Sequence, residues 1–343
     1  MTQAPAVTER MARRGRGAGR PRAILFLMIA AGALGACKSR FPAIIRIETG
    51  FLQAPAVISM AAGGEGSDAA AVLALAEIRR LEALFDPVNT SGSLYRLNES
   101  RTLSDPELYP LLERAQWVAE LTDGGLNVFL GYLELAYGFS NEFPRPPGPD
   151  ALRELLLSLR RAGMELVPER QEIRIPNDAY AISLTGIRDG YAADQALAHL
   201  VLGGVHVAKV RIGSHVACGA SPDGLGWPVR VMHPSSGEIA VEFYIEHGCV
   251  ATASVDDRAY VFRDETYHIH LDPATGQPSY TLSLVAVVAP SCELAGSLAK
   301  GVFVLGAEKG LHILNDLPEV EGLLLEPDGR LSTTDSLSIW LGD

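Results

Sequence analysis

The chain has 343 residues, 48% hydrophobic and 20% charged, with a formal net charge of −12. That length suffices for one large domain or two smaller ones with their own cores. The acidic balance argues against a nucleic-acid partner, because contact with phosphates asks for a basic face. The charge is unevenly placed: residues 1–36 hold six Arg against one acid, Glu9, so the remaining 307 residues carry −17.

That start reads as a signal peptide. Arg13 to Arg22 form a basic region, and Ala23 to Ala36 form an apolar run of 14 residues. Such a run is too short to cross a bilayer as a stable helix. It ends in Leu34-Gly35-Ala36-Cys37, which resembles the lipobox of bacterial lipoproteins. The expectation is removal of residues 1–36 and a lipid on Cys37. The protein would then be held on a bacterial membrane, facing the periplasm or the cell exterior. Met11 is an alternative start, since the signal is normal in length from there. No other segment is apolar and long enough to span a membrane. Cys218, Cys249 and Cys292 form no CxxC pair, so buried, inert thiols are expected, with one disulfide as the alternative.

Residues 37–48 read as a tether and a first strand, from Ala43 to Glu48, and 49–343 as the body. A helix is expected from Asp68 to Phe85, where Val72, Leu75, Ile78, Leu81 and Phe85 recur at helical spacing. A second helix is expected from Asp105 to Thr122. The prolines between Asn141 and Pro149 predict an irregular loop. Helices follow from Asp150 to Ala162 and from Gly190 to Leu202, the latter stopped by Gly203-Gly204. Strands are expected over Val205 to Ile212, Val229 to Met232, Ile239 to Ile245 and Leu282 to Val288, which are β-branched or alternate apolar with polar. Helices from Leu294 to Leu305 and from Glu308 to Asn315 precede a last strand, Leu323 to Leu325. Helices and strands mix without strict βαβ alternation, so the class is α+β.

Several segments carry a resemblance in order and spacing. Leu81-Glu82-Ala83-Leu84-Phe85-Asp86-Pro87 precedes Ser93-Leu94-Tyr95-Arg96-Leu97-Asn98. Thr122-Asp123-Gly124-Gly125-Leu126-Asn127-Val128 and Tyr137-Gly138-Phe139 follow. Then come the run from Leu184 to Asp194, Leu271-Asp272-Pro273-Ala274-Thr275-Gly276, and Ala289-Pro290-Ser291 leading to Val302-Phe303-Val304-Leu305-Gly306. Together they resemble the FAD:protein FMN transferases (ApbE-type flavin transferases) from about Thr49 to Leu325. The resemblance implies an ApbE-like fold with two lobes and a central cleft. It also implies transfer of FMN from FAD to a Thr or Ser of an exported flavoprotein target or partner, with Mg²⁺ screening the pyrophosphate.

The family's FAD positions fall here on Gly125, Leu126, Asn127, Ser183, Asp189 and Ile269. Its metal positions fall on Gly186, Gly296 and Lys300. At those places relatives carry a backbone carbonyl, an Asp and a Thr; here Gly296 has no side chain and Lys300 is a cation. The family's Lys is Asp189, its "G-G-D" is Gly213-Ser214-His215, and its "T-S-G" is Thr252-Ala253-Ser254. These departures predict a Mg²⁺ site lost or rebuilt, and activity reduced or absent. The alternative is a non-catalytic lipoprotein of the same fold that binds a flavin or a partner. Lys300 is expected to pair with Asp189, as if the basic residue had moved between the two positions. Glu293 is expected at the surface, bonded to the Ser297 hydroxyl or paired with Lys300. His268 and His270 share one face of an extended segment and, with His215, raise the option of Zn²⁺. Two ordinary loop histidines are the simpler expectation.

Overall fold

The computed structural model describes residues 42–63 and 66–341; the basic and apolar start and Cys37 lie outside them. β1 (Ile44–Phe51) and β2 (Ala54–Ala61) form a hairpin in strict antiparallel register. Its two-residue turn is Leu52-Gln53, with φ of 44° and 75°. That is the backbone a tight hairpin needs to match strand twist. The first strand therefore runs past Glu48 and joins the main sheet.

The sheet continues through β6 (Ala208–Ile212), β7 (His215–Cys218), β10 (Gly248–Ser254), β13 (Leu284–Ala289), β14 (Glu321–Leu325) and β15 (Leu331–Thr333). Each neighbouring pair is antiparallel. Strand β13 is buried at every residue. Val285, Val287 and Ala289 face the large core beneath the helices, and Leu284, Ala286 and Val288 face a second core. The hairpin of β8 (Trp227–Met232) and β9 (Ile239–Ile245) closes that second core through Val229, Val231 and Phe243. A strand covered on both faces reads as a continuous apolar run, and that is its sequence.

On the other face, α1 (Ser67–Phe85) packs on α6 (Arg188–Leu202), and α7 (Cys292–Leu305) lies against β10 and β13. Helix α7, mostly apolar, is buried over nearly its whole length. Its N-terminus is doubly satisfied. Ser291 Oγ accepts from the Leu294 amide at 3.3 Å, and Asp194 of α6 accepts from the amides of Cys292 and Glu293, both at 2.9 Å. A Cβ built on Gly190 meets the Cys292 carbonyl oxygen at 2.3 Å, so glycine lets α6 and α7 touch there. This contact lays the turn before α6 across the middle of α7.

The remaining elements are α2 (Ser93–Ser100), β3 (Thr102–Ser104), α3 (Leu108–Leu121), α4 (Gly131–Tyr137), α5 (Pro149–Leu159), β4 (Glu165–Val167), β5 (Glu172–Arg174), β11 (Tyr260–Phe262), β12 (Glu265–Tyr267) and α8 (Ala307–Asp316). The α+β class is as expected. Helix α6 begins two residues before Gly190, at Arg188; β6 is shorter than the run from Val205; α7 starts at Cys292 rather than Leu294. The strand ending at Leu325 is not the last, because β15 pairs with it. Strands β2, β3, β4, β5, β7, β10, β11 and β12 and helices α2 and α4 were not anticipated.

Candidate functional site

The turn before α6, the first turn of α6, the middle of α7 and the ends of β7 and β10 surround a cavity of about 200 Å³. Gly186 supplies its floor. It sits at φ +88°, and a Cβ there meets Lys300 Cδ at 2.7 Å, so conformation and space both require glycine. Gly296 is as tightly framed: its Cβ meets His215 Nε2 at 2.3 Å and the Gly186 carbonyl oxygen at 2.6 Å. The His215 ring thus fills the space that a side chain at 296 requires. Gly186, Asp189, Ile269, Gly296 and Lys300, singled out from the sequence, all line this one cavity.

Lys300 is 2% exposed and enters from α7. Its Nζ donates to the Thr185 carbonyl oxygen at 3.1 Å and to Glu134 Oε1 at 3.4 Å. Burial pulls the ammonium pKa down, and the Glu134 carboxylate opposes that. The expected pair with Asp189 does not form. Asp189 faces Arg188 Nε at 3.5 Å instead, and Glu134 of α4 holds the lysine. The other Glu134 oxygen accepts from Ser183 Oγ at 2.7 Å and Thr185 Oγ1 at 3.0 Å. Ser183 therefore reaches the site through Glu134. Sequence reasoning missed Glu134; its one signal is an acid between Leu133 and Leu135 in an otherwise apolar stretch.

Gly125, Leu126 and Asn127 are not in the cavity lining. Their loop packs against α7, where a Cβ on Gly125 meets the Gly301 carbonyl oxygen at 2.4 Å. Leu126 is in the core, and Asn127 Oδ1 accepts from the Phe129 amide at 2.9 Å. Thr122 is fully buried, donating to the Val118 carbonyl at 2.7 Å and accepting from the Leu126 amide at 3.1 Å.

Glu293 pairs with neither Ser297 nor Lys300. Its two oxygens accept from Arg114 Nε and Nη2 of α3, both at 2.7 Å, in a bidentate bridge. His270 lines the cavity beside Ile269, and its Nε2 lies 2.8 Å from Asp257 Oδ2. His268 lies behind it, wholly buried, where burial first and the His270 charge second pull its pKa down to about 4. These histidines do not gather with His215 around a metal position. Among the described residues, the group close enough to share an ion is Asp194, Cys249 and Cys292. The Asp194 oxygens are already committed to the α7 amides and to the Cys249 thiol at 3.4 Å. The three described cysteines are free and buried, and burial holds the Cys292 thiol well above its ordinary pKa. Asp123 pairs with Lys309 at 3.0 Å, away from the cavity lining.

A hard divalent ion asks for several oxygens, carboxylates first. The matched positions offer the Gly186 carbonyl and nothing from Gly296. His215 fills the place of the carboxylate, and Lys300 adds a positive charge. These residues do not fit Mg²⁺.

Three comparisons bear on the chain. The family model described as ApbE family matches residues 54–324. The FAD:protein FMN transferase of Treponema pallidum is 29% identical over 245 residues, covering 66% of this chain and 67% of that protein. That of Vibrio cholerae is 28% identical over 263 residues, covering 69% of this chain and 76% of its own. Among solved structures, the ApbE protein of Thermotoga maritima superposes at a TM-score of 0.80 with 22% identity, covering 88% of this chain and 100% of that one. The flavin transferase ApbE of Vibrio cholerae gives a TM-score of 0.75 at 19% identity, covering 87% of this chain and 99% of its own. The ordered motifs, the fold and the match over most of the length agree: this chain belongs to the ApbE family.

Proposed function

We propose that this protein is a divergent homologue of the FAD:protein FMN transferases that takes FAD at the cavity beside Gly186 and transfers FMN weakly or not at all. The observation that carries the reading is the seat of Lys300, whose ammonium replaces a metal-ligand side chain. Passing FMN from FAD to a hydroxyl means breaking a pyrophosphate, whose developing charge must be screened. Lys300 supplies one fixed positive charge, but Glu134 and the Thr185 carbonyl already use it. The site has cations for holding phosphates, Arg188 and Arg258 beside Lys300, but no carboxylate at 296 to hold a divalent ion. Non-catalytic binding of a flavin or of a redox partner is favoured over transfer by His215, which fills the place of the missing carboxylate. Export and anchoring through a lipid on Cys37 belong to the same proposal and are supported by the sequence of residues 13–37.

The test is incubation of purified protein with FAD, Mg²⁺ and an exported flavoprotein acceptor, with mass spectrometry of the acceptor and calorimetry of FAD binding. FAD should bind with an affinity indifferent to Mg²⁺, and flavinylated product should be scarce. Robust Mg²⁺-dependent flavinylation would return the chain to the ordinary transferases.

A further inference from the structure

The cavity has more binding capacity than the protein itself uses. His215 is 5% exposed, yet neither of its ring nitrogens has a hydrogen-bond partner. Buried polar atoms are paired in native structures almost without exception, so two orphaned nitrogens on one ring mark a missing partner. Nε2 lies against Gly296, and His215, Gly296 and Gly186 all line the cavity. Arg258, from the segment after β10, also lines the cavity and makes no hydrogen bond or ion pair among the described residues. Burial first, and Arg188 second, pull its pKa down, against the opposing charges of Asp189, Glu134 and Asp257. Arg188 is 7% exposed and has Asp189 alone, at 3.5 Å. Of the acids on the lining, Asp189 faces Arg188 and Asp257 is bound by His270. The first turn of α6 borders the same space through Arg188 and Asp189.

We infer that this cavity binds a diphosphate directly, with no divalent ion, through Arg258 and His215, with Lys300 as the fixed cation behind it. The inference rests on the flavin reading above and names how its phosphates are held. A guanidinium presents paired N–H donors that match two phosphate oxygens, and a buried imidazole N–H matches a third. Lys300 and Arg188 add further cations to the same lining.

The experiment is calorimetry in EDTA with inorganic pyrophosphate, orthophosphate, FMN and FAD as separate titrants. Pyrophosphate should bind in EDTA, more tightly than orthophosphate, and added Mg²⁺ should not strengthen it. Arg258→Gln should weaken pyrophosphate and FAD together by about tenfold, the scale of one charge-assisted contact. His215→Asn should weaken both as well; Arg258→Gln decides the matter if the His215 variant misfolds. Pyrophosphate binding that requires Mg²⁺, or that Arg258→Gln leaves unchanged, overturns the inference. FAD binding without pyrophosphate binding also overturns it but leaves the flavin reading standing. Pyrophosphate binding without FAD binding keeps the inference and removes the flavin reading.

Discussion

Replacing Gly296 with Asp restores the residue type expected at this position in relatives, and it should damage the protein rather than repair it. The new Cβ lands 2.3 Å from His215 Nε2 and 2.6 Å from the Gly186 carbonyl oxygen, where ordinary contact begins at 3.4 Å. The imidazole must move by about 1 Å or more inside a packed region, and overpacking of that kind costs about 1–3 kcal/mol. A carboxylate set against a carbonyl oxygen adds about 1–3 kcal/mol for poorly matched acceptors. The total, about 2–6 kcal/mol, corresponds to a fall in Tm of roughly 5–20 °C for a domain of this size. His215→Ala should relieve the steric part, so a double-mutant cycle over 215 and 296 should show a coupling of about 1–3 kcal/mol. Thermal and denaturant unfolding of the four proteins measures it. It follows that Gly296→Asp with Lys300→Thr does not rebuild a Mg²⁺ site until His215 is also reduced. A Gly296→Asp protein as stable as wild type, or a coupling near zero, refutes the reasoning.

Lys300→Met keeps the volume but strands Glu134 without its cation; removing one partner of a buried pair costs about 3–5 kcal/mol. Lys300→Met with Glu134→Gln should recover much of that loss, and denaturant midpoints test both. His268 has a folded pKa of about 4 against 6.5 for a free histidine, so the unfolded chain binds its proton first as pH falls. Its contribution is intact above pH 6.5, is lost between 6.5 and about 4, and amounts to roughly 3 kcal/mol at most. The difference in unfolding free energy between wild type and His268→Leu should therefore shrink as pH falls through that window; a pH-independent difference disproves the assignment. Cys37→Ala should leave the protein soluble after cell fractionation, and sedimentation with membranes as in wild type rejects the lipoprotein reading.

The long amphipathic helices were legible because one apolar stripe repeats through α1 and α6. Strand β2 was not, because the turn that creates it is Leu52-Gln53, two residues with no turn chemistry, held at positive φ by the strands they join. Strand β10 hides for another reason: Gly248-Cys249-Val250-Ala251-Thr252-Ala253-Ser254 is rich in small residues, because α7 packs closely over it. The cavity could be assembled from the sequence through Gly186, Asp189, Gly296 and Lys300, since their spacing follows the family order. The partner of Lys300 could not, because Glu134 lies 166 positions away and no local pattern links them. Nor could the fit of His215 against Gly296, which depends on the register of β7 against α7.

The strand order has a consequence for how the chain is made. Strand β2 finds its second neighbour in β6, pairing Met60 with Ala208, about 150 positions later. Of the described elements, the β1–β2 hairpin leaves the ribosome first and waits, with one edge unpaired, while all of α1 to α6 is still being added. Closing a loop of that length costs about 4 kcal/mol of chain entropy before any contact rewards it. The hairpin is thus a late arrival in assembly although it is the first of the described elements to be translated. An alternating strand waiting with an open edge is also the place where two nascent chains would first stick together. The Arg46–Glu48 ion pair keeps charge on the hairpin during that wait, both side chains more than half exposed.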